Sequence, residues 1–114
     1  MHELSIAQSI IKLAENALPP NEDVHVSAVR IQVGELSGIE IDPLQFSFSI
    51  IKANTRLHNA TLEIEIVLGE AHCNTCQKPF HLSALGNTCP VCNGYSLQIT
   101  KGKEMKVMNI LVDE

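Results

Sequence analysis

Residues 72–94 read "HCNTCQKPFHLSALGNTCPVCNG". Cys73 and Cys76 form one CxxC pair and Cys89 and Cys92 a second, with Gln77 to Thr88 between them. Two short turns that each supply two thiolates can close a tetrahedral site, and zinc suits four thiolates. A site closed by four cysteines keeps no open position, so the ion would be structural. A segment of about 30 residues builds little core of its own. Structural zinc offsets this with roughly 10–16 kcal/mol of apparent binding free energy in small finger peptides. The competing readings are two disulfides, a redox CxxC and an iron–sulfur cluster. Disulfides conflict with a cytoplasmic setting. A thioredoxin-like motif needs one CxxC beside a βαβ pattern, and the spacing is not that of a ferredoxin. His72 and His81 read either as exposed polar residues of this loop or as a spare imidazole able to meet another metal.

Outward from the cysteines, the chain alternates in strand fashion on both sides. "TLEIEIVL", residues 61–68, places Leu62, Ile64, Ile66 and Leu68 on one face. "EMKVMNILV", residues 104–112, is a final, less cleanly patterned strand. The cysteine segment, about Glu70 to Thr100, is thus an insert between two strands. Glu63 and Glu65 fall on the polar strand face and are expected to be solvated. Further upstream, Leu4 to Leu18 repeats apolar residues at helical spacing and ends at Pro19 and Pro20. In "VHVSAVRIQVG", residues 24–34, Val29, Ile31 and Val33 alternate with polar neighbours, while Val24 and Val26 have the opposite phase, which predicts a bulge or a two-sided strand start. "IDPLQFSFSIIKAN" alternates like a strand, but Asp42 as N-cap, Pro43 at the first helical position and Gln45 in a capping-box position predict a helix from about Pro43 to Ala53. His25 and His58 have no constellation around them in sequence and read as ordinary surface residues.

The chain has 114 residues, enough for one compact domain with a small appendage. Hydrophobic residues make up 45% but aromatics only 4%, so the core must be aliphatic. The net charge of −5 argues against a general nucleic-acid binder, which usually shows a basic face. No apolar run is long enough for a membrane span, and no signal-peptide pattern opens the chain, so a cytoplasmic location is expected. No Ser/His/Asp or Cys/His catalytic arrangement can be argued, so an enzyme is not expected.

The chain opens "MHELSIAQSI". One reading is a frayed helix start, with Glu3 favouring the helix dipole. The other is a metal site at Met1, His2 and Glu3. A bulky second residue is expected to keep the initiator methionine, so Met1 would carry the terminal amine. Ni(II) favours nitrogen donors in tetragonal geometry. The amine and the His2 and Glu3 amides can follow one another around a plane, and the His2 imidazole adds a further ring. The His2 amide nitrogen would then be chelated to three donors, whereas a square gives it two neighbours. The imidazole must sit apically, or one donor must come from elsewhere: water, a carboxylate, or an imidazole such as His72 or His81.

"MHELSIAQSI", "VRIQVGELSGI", "LQFSFSII" and the paired "CNTC" and "CPVC", in this order and spacing, resemble the HypA/HybF family of hydrogenase nickel-incorporation proteins. The resemblance spans essentially the whole chain. It implies a nickel metallochaperone that works with a partner nickel-maturation GTPase. The recipient would be the large-subunit precursor of nickel–iron hydrogenase, and in some organisms the urease maturation proteins also take part. It implies nickel binding at Met1, His2 and Glu3, and zinc binding at Cys73, Cys76, Cys89 and Cys92. The implied fold is α+β: a small mixed β-sheet with two α-helices and an inserted four-cysteine zinc-ribbon-like module. The expected domains are a nickel-binding body, residues 1–69 and 101–114, and a zinc-binding insert, residues 70–100. "GELSG", Gly34 to Gly38, looks like a family signature in which the glycines shape the turn and Glu35 is solvated. The runner-up function is a zinc-ribbon binding module for protein or nucleic acid. Lys101, Lys103 and Lys106 offer it a basic cluster, but the acidic total and scarce aromatics weigh against it.

Overall fold

The computed structural model describes residues 3–20 and 23–113. Its helices are α1 (Glu3–Asn16) and α2 (Ile41–Ile51). Its strands are β1 (His25–Gly34), β2 (Thr61–Val67), β3 (Glu70–Cys73), β4 (Lys78–His81), β5 (Leu97–Lys101) and β6 (Met105–Asp113). One three-stranded sheet has the order β2-β1-β6 and a second the order β4-β3-β5. Two helices with small mixed sheets and a four-cysteine cluster make the fold α+β, as expected. The chain divides into two compact units. The first comprises the described residues of Met1–Ile31, Ile39–Glu65 and Lys106–Glu114; the second comprises Gln32–Gly38 and Ile66–Met105.

In the first unit the helical stripe of α1 buries Ala7, Ile10, Ile11 and Ala14. Helix α2 buries Leu44 and Phe48, four residues and so about one turn apart. The helix reading of residues 43–53 holds, shifted two residues towards the amino terminus. Glu40, not Asp42, is the N-cap, and it makes no side-chain cap bond. Asp42 instead sits in the first turn, where its charge favours the helix dipole. Helix α1 stops at Asn16, two residues short of Leu18, and its end is closed by the tighter Ala17 N–H···O=C Ala14 and Leu18 N–H···O=C Glu15 bonds. Strand β1 adds Val26, Ala28, Val29 and Ile31 to the core. Its phase changes at Ala28–Val29, where two successive side chains are buried. Arg56 straps this unit together. Its Nε donates to the Val24 carbonyl at 3.1 Å and its Nη1 to the Pro19 carbonyl at 2.9 Å. On β2, Leu62 is buried but Ile66 is 46% exposed, so the single apolar face expected for residues 62–68 is not covered along its length. Glu63 is not simply solvated: Arg30 Nε donates to its Oε1 at 2.8 Å.

In the second unit β3 pairs antiparallel with both β4 and β5, in the registers Cys73↔Lys78 and Cys73↔Leu97. Alternation along β3 puts Ala71 and Cys73 on the buried side and Glu70 and His72 on the other. Ala71, Leu36 and Leu82 form a small core, with Phe80, Leu97 and Ile99 packed against it. The backbone runs close here. A Cβ on Gly34 would collide with the Gly102 carbonyl, and one on Gly69 with the Leu82 carbonyl. Gly34 N–H donates to the Glu104 carbonyl at 2.7 Å and Leu36 N–H to the Gly102 carbonyl at 2.6 Å.

Candidate metal centre

The two CxxC segments fold into turns of the same design. Cys73 ends β3, and the turn closes with Gln77 N–H donating to the Cys73 carbonyl at 2.8 Å. Asn93 N–H donates to the Cys89 carbonyl, also at 2.8 Å. In each turn the residue after the second cysteine is left-handed, Gln77 at φ 60° and Asn93 at φ 59°. This reverses the chain so that both sulfurs of a pair face the same point. Asparagine visits this region readily. Gln77 is held there in addition by its own Nε2 donating to the Asn74 carbonyl at 2.6 Å.

The four sulfurs lie within 4.8 Å of one another. Cys73 Sγ is 3.7 Å from Cys92 Sγ, and Cys89 Sγ is 3.9 Å from Cys76 Sγ. A tetrahedron with metal–sulfur bonds of about 2.3 Å has edges of about 3.8 Å, so these spacings fit a metal held by four thiolates. They are too long for a disulfide, whose sulfurs sit about 2.05 Å apart. Cys73 and Cys89 are buried and Cys92 is exposed. Backbone amides prepare part of the charge. The N–H groups of Cys92 and Val91 pull the Cys89 thiol down to about 7. The Cys92 sulfur, followed by burial, pushes the Cys76 thiol up to about 12. Thiolates crowded this closely oppose one another's ionisation, and a cation at their centre relieves that.

The chain matches the family described as hydrogenase/urease nickel incorporation, metallochaperone, HypA, over residues 1–112. It belongs to the HypA family. Among similar proteins, the hydrogenase maturation factor HypA of Polaromonas naphthalenivorans is 40% identical over 112 residues, which is 98% of this chain and 97% of that one. That of Cupriavidus necator is 39% identical over 114 residues, 100% of this chain and 96% of that one. The solution structure of the nickel metallochaperone HypA from Helicobacter pylori shares 26% identity with a TM-score of 0.65, covering 97% of each chain. Family members are thus maturation factors with a nickel-incorporation role.

Of the residues singled out in sequence, the four cysteines are brought together. Met1 and His2 lie outside the described residues. Glu3 opens α1, and its Oε2 accepts the Glu40 N–H at 3.3 Å. Glu35, expected to be solvated, is engaged: its Oε1 accepts the Gly69 N–H and His81 Nε2, each at 2.8 Å. That pairing joins residues 46 apart and leaves no signature in local sequence. His25 and His58, read as unrelated surface residues, have ring centroids 5.2 Å apart. Here too the sequence carries no signal, because a turn and a strand start bring them together.

Proposed function

We propose that this chain binds Ni(II) at its amino terminus, through Met1, His2 and Glu3, and hands it on during maturation of nickel–iron hydrogenase. A zinc ion on Cys73, Cys76, Cys89 and Cys92 is structural in this reading. The observation that carries the nickel assignment is the family match over residues 1–112, which takes in the Met-His-Glu start. Glu3 is the first residue of α1, a position that requires no intrahelical bond from its amide nitrogen. Zinc is favoured at the cysteines because an all-thiolate set and the 3.7 and 3.9 Å sulfur spacings suit it. The role is that of a carrier, not a catalyst. The partners in this reading are a nickel-maturation GTPase and the hydrogenase large-subunit precursor, in the cytoplasm. Urease maturation is a second outlet that the family description names.

The chelate rings supply the test. One residue added ahead of Met1 moves the amine and breaks the ring sequence. Nickel titration of the zinc-loaded protein should show at least a tenfold loss of affinity, with zinc content unchanged. Undiminished nickel affinity in the extended protein would place the cargo site elsewhere.

A further inference from the structure

The structure assigns a second metal site to the first unit, on His25 and His58, for a divalent ion that prefers imidazole. His25 Nε2 lies 3.0 Å from Asp23 Oδ1. An ionised carboxylate only accepts, so Nε2 carries the proton and Nδ1 of the neutral ring is bare. His58 Nδ1 lies 3.0 Å from the Thr55 carbonyl oxygen. A carbonyl also only accepts, so Nδ1 carries the proton and Nε2 of His58 is bare. Each imidazole is therefore fixed in one tautomer by an acceptor behind it. Metal-binding histidines are prepared in this way, with the second nitrogen held by a carboxylate or a backbone carbonyl.

Two further observations point to a ligand. His25 Nδ1 is buried and has no hydrogen-bond partner. A buried acceptor with no protein partner calls for an explanation, and a bound cation would supply one. The rings stand 5.2 Å apart, centroid to centroid, at an interplanar angle of 80°. Two imidazoles sharing one ion at about 2.0–2.1 Å per nitrogen, with a tetrahedral angle between them, place their centroids about 5 Å apart. The His25 side chain is 44% exposed and His58 is exposed, so the pair lies at the surface, although Nδ1 of His25 itself is covered. Water completes the coordination, and Asp23, 98% exposed, orients His25 as a positioning residue. Imidazole donors suit nickel, copper and zinc. The site is separate from the four-cysteine centre and uses none of the amino-terminal donors.

The test uses the full chain with its cysteine centre already loaded with zinc, in a His2→Ala background. Additional Zn(II) is the probe, since it is diamagnetic. Imidazole nitrogen NMR should show His25 Nδ1 and His58 Nε2 unprotonated before addition, and both shifting as a second equivalent binds. His25→Gln and His58→Gln should each weaken that second equivalent at least tenfold while leaving the first in place. Asp23→Ala should weaken it about tenfold or more and change the His25 tautomer balance. Because His58 sits in an exposed turn, its variant is the safeguard if His25→Gln folds poorly. The assignment is overturned if only one zinc binds, if a second binds equally well in both histidine variants, or if His25 Nδ1 carries the proton in the metal-free pair at neutral pH.

Discussion

Glu35 is held by two donors, Gly69 in the link between β2 and β3 and His81 in β4, and its ionisation is tied to them. The Gly69 N–H, and after it His81, holds the carboxyl below its ordinary value of 4.5. A carboxyl with a lowered folded value stabilises above its unfolded value, and that contribution is lost as pH falls through the lowered one. Glu35→Gln should therefore lower the melting midpoint of the zinc-loaded protein near neutral pH, and the gap from the wild type should narrow below pH 4.5. A gap independent of pH would show that the carboxylate's charge does not matter. The nickel donors respond in the same direction, losing their function as pH falls, but over a higher pH range. A terminal amine ordinarily titrates at about 7.7–8.0 and an imidazole at about 6.5, and both must lose a proton to bind metal. Nickel affinity should fall from neutral pH to about pH 6 while zinc stays bound. A flat affinity across that range would contradict a site built on these nitrogens.

At the scale of elements, the parts with strong periodicity or strong end signals were legible in sequence. Helix α1 and strand β1 follow their apolar repeats. In α2, Pro43 and the acidic first turn outweighed the alternation of Leu44, Phe46, Phe48 and Ile50, and the helix buries Leu44 and Phe48 while Phe46 stays exposed. The small sheet around the cysteines has no clear signature in sequence. Strands β3 and β4 are four residues each, and Lys78–His81 shows no apolar alternation to read. What holds them is the pairing of β3 with both β4 and β5, the closely packed glycines and the cysteine turns. Those turns make a prediction of their own. Cys73→Ala should lose the metal and unfold the residues from Cys73 to Asn93, while amides in α1 and the Val29–Ile31 stretch keep their slow hydrogen exchange. Persistent exchange protection in the cysteine turns without metal would contradict a structural role for zinc. Phe48 is 2% exposed at the heart of the other unit, so Phe48→Ala should cost about 3–5 kcal/mol in denaturant unfolding and leave zinc content unchanged.

For the whole molecule, the cysteine spacing and the Met-His-Glu start were the legible parts of the functional reading, because each is local in sequence. The Glu35–His81 pairing and the His25–His58 contact were not legible, because folding alone brings those residues together. Family membership makes the chain one of the nickel-incorporation metallochaperones. Nickel is assigned to the amino-terminal nitrogens, and metal analysis after nickel loading checks that assignment most directly. The measurement compares the parent chain with its His2→Ala variant, both carrying His58→Gln so that the second site does not contribute. One zinc is expected in each protein and one additional nickel in the parent alone. A full equivalent of nickel retained by the His2→Ala chain would contradict that assignment.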